Sequence, residues 1–140
     1  MNYMKSKKKQ KPIVFLQDTG IYSNEIVLSF GASKEEILKY LKSHKIKKEA
    51  IEWIEKDENL FKIFSENNAC LAFDRGRMIG LFKHFEDTWE FWETLIHELH
   101  HAVNYLTENK RMEKEVEAQA YLQEYLFRSI RRKLQKTDPL

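Results

Sequence analysis

Residues 94–106 read TLIHELHHAVNYL, and the rest of the chain is best interpreted from this stretch outward. His97 and His101 stand four positions apart, and Glu98 follows the first histidine directly. In an α-helix, residues four apart share one face with about 5–6 Å between Cβ atoms, so the two imidazoles can reach one ion. Glu98 lies about 100° around the helix from His97, which suits a general base acting on a water beside that ion. The spacing therefore predicts a zinc site with His97 and His101 as ligands and Glu98 as the base.

The residues around the motif predict one long helix that has a buried face and a ligand face. Asp87 with Glu90 three residues later predicts the N-cap, so the helix is expected over about residues 88–106. Its apolar positions fall within one arc whose centre lies nearly opposite the two histidines. These positions are Trp92, Leu95, Ile96, Leu99, Val103 and Leu106. The arrangement favours metal ligands over a buried pair of core histidines.

The other histidines carry weaker signals. His100 falls on the flank of the apolar arc and is interpreted as a boundary residue rather than a ligand. His44 lies in a lysine-rich link and is expected at the solvated surface. His84, thirteen residues before His97, is expected at a strand end or in a loop, where a role in a cleft stays open.

A second long helix is predicted after the motif. Residues 107–111, TENKR, are polar and predict a short link, and apolar positions from about residue 112 to 134 continue at helical spacing. A link this short makes the two helices antiparallel neighbours.

The second helix supplies the candidates for a third metal ligand. Counted outward from Asn109, His101 lies eight residues before the turn and Glu117 eight residues after it, so Glu117 is the predicted ligand. Glu113 and Glu124 stay open as alternatives, because these glutamates share a side that is also typical of a solvated charged face. Tyr121, one turn beyond Glu117, is predicted to donate a hydrogen bond to an oxyanion.

The distribution of charge bears on the class of partner. Residues 1–11 carry five lysines, and residues 128–140 carry five basic residues against Asp138. The body from 12 to 127 then holds 24 − 10 = 14 basic and 22 − 1 = 21 acidic residues, a balance of −7. An acidic body argues against a nucleic-acid partner, because a surface that binds DNA or RNA normally needs clustered Lys and Arg. Residues 1–11 are predicted to be a disordered basic arm, and the basic termini are expected to suit a protein partner.

Composition predicts one domain over residues 12–136. Hydrophobic content of 42% with 33% charged residues is typical of a globular chain of 140 residues. Cys70 is the only cysteine, which excludes an intramolecular disulfide and favours a reducing compartment. No apolar run approaches the roughly 20 residues that span a bilayer, and PIVFLQD at 12–18 is too short for a signal peptide core. We therefore expect no membrane partner and a cytoplasmic protein.

Ahead of the motif helix, the chain predicts two β-hairpins separated by helices. The first hairpin pairs residues 13–17 with residues 21–30, and the second pairs 69–73 with 78–82. Between them, Ser33 and Glu36 form a capping box for a helix over residues 34–43, and a second helical stretch begins at Lys47. The expected architecture is a mainly helical single domain with small hairpins beside the motif helix and an antiparallel C-terminal helix.

HELHH followed by EVEAQAYLQEYL at 115–126 resembles the gluzincin-type zincin metallopeptidases. Among these it is most similar to small phage and mobile-element proteins related to the ImmA/IrrE group. His100 stands where that group usually has glycine, and Gln119 where it commonly has asparagine. The resemblance implies Zn²⁺ bound by His97, His101 and Glu117, with Glu98 as base, in an α+β zincin-like domain.

Two functions are expected from these observations. The first is a zinc-dependent metallohydrolase, a peptidase acting on a peptide or protein substrate through a metal-activated water, with Glu98 as general base. The alternative is a non-catalytic zincin-like structural or binding module, such as a phage component. If the protein is phage-encoded, its expected location is the host cytoplasm or the virion.

Overall fold

A four-stranded sheet and five helices make up residues 11–22, 24–109 and 116–137, which this computed structural model describes. In chain order the elements are β1 (Ile13–Asp18), β2 (Glu25–Phe30), α1 (Lys34–Ser43), α2 (Lys48–Lys56), α3 (Glu58–Ser65), β3 (Ala69–Asp74), β4 (Arg77–Phe82), α4 (Trp89–Asn109) and α5 (Val116–Thr137). The predicted α+β fold is confirmed. Apart from Lys11, the predicted basic arm lies outside the described residues.

The sheet has the order β1-β2-β4-β3, so both predicted hairpins are present and β3 is an edge strand. The hairpins join through a parallel pairing of β2 with β4, which makes the sheet mixed. Arg75 and Gly76 form the β3–β4 turn with φ values of 49° and 84°. Two successive positive φ angles match the twist of a two-residue hairpin, and glycine adopts them without strain.

Each face of the sheet carries its own helical layer. Ile26, Leu28 and Phe30 of β2 pack into the core shared with α4 and α5. Val27, which points the opposite way, packs with α1, α2 and α3. At Gly80 of β4, an added Cβ would lie 2.7 Å from Leu28 Cδ2, so a side chain there would displace the core. The sheet is thus buried on both faces, and α4 lies directly over it.

Caps explain where the first helix begins and where the motif helix differs from the prediction. Ser33 Oγ accepts from Glu36 N at 3.1 Å and Glu36 Oε1 accepts from Ser33 N at 2.9 Å, so the predicted capping box is confirmed. The predicted N-cap of α4 at Asp87 is wrong. Thr88 Oγ1 accepts from Phe91 N at 3.3 Å, whereas Asp87 Oδ1 accepts from Trp92 Nε1 at 2.8 Å.

The motif helix is longer than predicted and runs to Asn109. Thr107, which was expected in a polar link, is fully buried. Its hydroxyl can be buried at little cost because it donates to Val103 O at 2.8 Å within the helix. Among the described residues, α4 therefore ends at Asn109 and α5 begins at Val116. None of the helices in the described part is long and apolar enough to cross a membrane.

Candidate metal centre

The two motif histidines converge on the outward side of α4. His97 Nε2 and His101 Nε2 lie 3.3 Å apart, with ring planes at 84° to each other. Two nitrogens bound to one tetrahedral ion at about 2.0–2.1 Å would lie roughly 3.3–3.4 Å apart. The same distance also allows a hydrogen bond between the two rings, which a shared zinc ion would replace. The side chain of His97 is 70% exposed, so the pair is open to solvent.

Glu98 lies on the flank of α4 that faces the edge strand β3. Its side chain is only 13% exposed, and Oε2 is 3.9 Å from His97 Nε2. Burial raises the pKa of the Cys70 thiol on β3 to about 11, and the charge of Glu98 adds to this rise. Cys70 therefore stays protonated near neutral pH. The Glu98 carboxylate is held between the histidine pair and the sheet edge.

Tyr105 connects the same flank of α4 to β3 and to the β3–β4 turn. The sequence interpretation did not include it among the functional candidates. Its ring stacks on Phe73 of β3 with centroids 4.3 Å apart, and its hydroxyl accepts from Gly76 N at 2.6 Å. The signal was available, since Tyr105 follows His101 by four positions and Glu98 by seven, which places it on the same flank. Tyr105 sets the spacing between the histidine-bearing helix and the β3–β4 turn.

The opposite flank of α4 contacts α5 through side-chain amides. Gln119 Nε2 donates to Thr107 Oγ1 at 3.0 Å, and Gln123 Nε2 donates to Ile96 O at 3.3 Å. Between these helices runs an open groove of about 630 Å³, which we call the α4–α5 groove. It is lined mainly by Ile96, His97, Val103, Val116, Ala120 and Gln123.

Ile96 was predicted to belong to the buried arc of α4, and this prediction is wrong. Its side chain is 45% exposed and lines the α4–α5 groove. The other predicted members of the arc are buried. Ile96 lies at the edge of the arc, where the neighbouring helix leaves space instead of covering it.

Glu117 and Tyr121 lie at the exposed surface of α5. Residues level with His101 can be counted along the two helices from each amide contact. If Gln119 and Thr107 lie at the same height, counting along the antiparallel helices places residue 125 level with His101. If Gln123 and Ile96 lie at the same height, the same count places residue 118 level with His101. Tyr121 falls inside this interval and Glu117 lies one residue outside it. The sequence-based prediction takes Asn109 as the centre of the turn, but Asn109 belongs to α4, so counting from it does not give the level of Glu117.

The described part of the chain does not bring a third metal ligand together with His97 and His101. Among those residues, no group of three or more His, Cys, Asp or Glu side chains is arranged to hold a metal. Glu124 falls within the interval level with His101, but its carboxylate pairs with Arg128. Glu113 lies outside the described residues. The choice among Glu117, Glu124 and Glu113 stays a prediction.

The remaining histidines lie apart from the pair. His84 Nε2 is 3.2 Å from Glu86 Oε1 in the segment that leads into α4. His100 is exposed and lies beside the α4–α5 groove, on the flank predicted for it. His44 is exposed as expected, and its ring stacks on Tyr40 with centroids 3.9 Å apart.

Comparison with known proteins assigns no family. The chain matches no protein-family model, no curated protein and no solved structure at a significant level.

Proposed function

We propose that this chain is a zinc-dependent hydrolase that cleaves peptide bonds. The observation that carries the proposal is the 3.3 Å separation of His97 Nε2 and His101 Nε2, which matches two ligands of one tetrahedral zinc ion. Catalytic zinc sites use three protein ligands and keep one position open. We keep Glu117 as the proposed third ligand, with Glu113 and Glu124 as the open alternatives.

The residues around the pair have separate roles in this proposal. When bound, zinc lowers the pKa of a coordinated water to about 7 and polarises a carbonyl oxygen. Glu98 accepts a proton from the attacking water, because its largely buried carboxylate lies beside the histidine pair. The hydroxyl of Tyr121, which is 66% exposed, donates a hydrogen bond to the developing oxyanion.

A peptide substrate is favoured by the position of β3. This strand is at the edge of the sheet, and α4 packs against it along the flank that carries Glu98 and Tyr105. An edge strand offers unpaired backbone donors and acceptors, and extended peptides bind such edges by adding a strand. A peptide on β3 would bring its carbonyl groups past Glu98 and the histidine pair.

Metal analysis tests the proposal directly. Protein purified without chelators should contain about one zinc per chain. His97→Ala and His101→Ala should each lose most of it, whereas His44→Ala, a surface histidine changed in the same way, should keep it. Zinc-loaded wild-type protein should also cleave unstructured peptides. Absence of zinc from the wild type, or equal zinc in all three variants, would refute the metal site.

A second candidate function is a non-catalytic binding or structural module. It is favoured by the lack of a third acidic or histidine ligand beside the pair in the described residues. In that case zinc either does not bind or only stabilises the fold. Thermal melting with and without chelator, run beside a peptide cleavage assay, separates the two functions, because a structural ion raises Tm without turnover.

We place this activity in the cytoplasm, which is the host cytoplasm or the virion if the protein is phage-encoded. The single cysteine supports a reducing compartment, since it has no disulfide partner within the chain. The basic residues at both ends would contact a protein partner rather than nucleic acid.

A further inference from the structure

We propose that the two basic ends of the chain form one surface, which binds an acidic segment of a partner protein. The surface lies at the C-terminal end of α5 and is independent of the proposed metal site. Its exposed members among the described residues, which we call the basic end, are Lys11, Arg128, Arg131, Arg132 and Lys136. Lys11 is far from the other four in the sequence, so only the fold can bring the two groups together.

Contacts between β1 and α5 place the two groups at the same end of the molecule. At the end of β1, Asp18 accepts a hydrogen bond from the Tyr125 hydroxyl. Further along α5, Lys133 Nζ donates to Leu16 O at 3.3 Å. The contacts thus move back along β1 as α5 advances, so the two elements run antiparallel. Lys11, which lies just before β1, is therefore near the C-terminal end of α5.

The basic end carries positive charge that the described carboxylates do not neutralise. Arg128 pairs with Glu124. The other four members have no ion pair with a carboxylate in the described part of the chain. Arg131 instead lies over the Trp92 ring, with Cζ 5.6 Å from the ring centre, which leaves its charge unpaired. Residues 1–10 add four further lysines to the sequence next to the basic end.

The size of the basic end favours a short acidic peptide segment over a nucleic acid. From Arg128 to Lys136 the helix rises about 12 Å, which about four residues of an extended chain would span. Glu117 and Glu124 are exposed earlier on α5, and residues 12–127 carry a balance of −7. A longer polyanion would therefore face negative charge beyond the basic end. Each arginine can hold a carboxylate through two hydrogen bonds, so a run of Asp and Glu matches the surface in length and charge.

Fluorescence anisotropy with labelled hexaglutamate tests this surface on the full chain. Hexaglutamate should bind the wild type and dissociate as salt is raised, whereas hexaglutamine should not bind. Arg132→Gln combined with Lys136→Gln should weaken binding about tenfold. Lys39→Gln combined with Lys62→Gln removes the same charge from exposed positions of α1 and α3. This control should change binding less than about twofold, because salt at about 0.1 M screens distant charges.

A single substitution tests whether the two ends act together. Lys11→Gln should weaken hexaglutamate binding about threefold, whereas Lys39→Gln alone should have almost no effect. Equal effects of these two substitutions, or of the two double variants, would overturn the proposal.

Further probes separate the occupants and the two proposals. Tighter binding of equally charged oligothymidylate or of a short DNA duplex would assign the basic end to nucleic acid and overturn the proposal, as would no binding of hexaglutamate. Zinc-free and zinc-loaded protein should bind hexaglutamate equally, so a failure of the proposed metal site leaves this test unaffected.

Discussion

The two flanks of α4 contact their neighbours in different ways. On the β3 flank, the Tyr105 ring stacks on Phe73 and its hydroxyl accepts from the backbone of the β3–β4 turn. On the α5 flank, the contacts include the flexible amides of Gln119 and Gln123, and an open groove remains. The β3 flank thus holds Glu98 in a defined place, whereas the α5 flank leaves room for a ligand. A site that holds its reacting groups in place and also accepts a ligand would need a rigid flank and an open flank.

The largest expected effect concerns Glu98, the proposed base on the β3 flank. Glu98→Gln keeps the shape of the side chain but removes its ability to accept a proton, so the rate of peptide cleavage should fall about 10²–10⁴-fold. Zinc content should stay at the wild-type level. Glu90→Gln, the same change at an exposed position of α4 outside the α4–α5 groove, should retain most activity. Comparable losses in the two variants would contradict a specific role of Glu98.

The next effect concerns the Cys70 thiol, which lies on the opposite face of β3, against the layer of α1, α2 and α3. Burial first, and then the charge of Glu98, raise the pKa of Cys70 from about 9.0 to about 11. A rise of about two units leaves roughly 100-fold less thiolate at pH 8, so alkylation by iodoacetamide should be slow and should accelerate up to about pH 11. A rate like that of a free thiol would show that Cys70 is not buried between the sheet and the layer of α1, α2 and α3.

The same shift has a defined sign for stability. Because the folded-state pKa is raised, the folded protein retains its proton while the unfolded chain loses it above about pH 9.0. The free energy of unfolding should therefore decrease between about pH 9 and 11. Urea unfolding should show a smaller decrease in Cys70→Ala than in the wild type.

A smaller effect concerns Glu117, the proposed third ligand. Glu117→Gln should weaken zinc binding by at least about tenfold, since loss of even an outer-shell partner costs about 10–100-fold. Glu124→Gln should change it little, because that carboxylate already pairs with Arg128. Glu108→Gln serves as an exposed control on α4. Competition with a zinc-binding dye measures the affinities, and the reverse order would assign Glu124 as the ligand.

The smallest effect compares the two flanks directly. Tyr105→Phe removes the acceptor for Gly76 N and should destabilise the fold by about 1–2 kcal/mol. Thr107→Val removes the acceptor for Gln119, whose half-buried amide can reach water instead, so the cost should be about 1 kcal/mol or less. Urea unfolding of both variants measures the difference. A larger cost for Thr107→Val would reverse the view that the β3 flank is the more firmly fixed.

Much of the fold was predictable because local signals are strong in this chain. The capping box at Ser33 and Glu36 places the start of α1 correctly, and two hairpins follow from short apolar runs around turn residues. The end of α4 was not predictable from polarity. Thr107 is polar in sequence but buried in the structure, because its hydroxyl is satisfied within the helix and by Gln119.

The candidate site also has one part that the sequence predicts and one part that it does not. Sequence places His97, Glu98 and His101 relative to one another, because a helix fixes residues four apart on one face. It does not place Glu117, since the level of a residue on α5 depends on where the turn lies and on contacts between helices. One residue of error moves a ligand by about 1.5 Å along the axis and by 100° around it.

The sequence alone thus determined the helical motif, the face it presents and the local caps, all of which depend on neighbours within a few residues. Only the tertiary structure decided the parallel pairing of β2 with β4, the position of β3 beside Glu98 and the α4–α5 groove. These features join residues that are distant in the chain. Their geometry depends on how side chains such as Tyr105 and Gln123 pack between elements, and no local pattern records that packing.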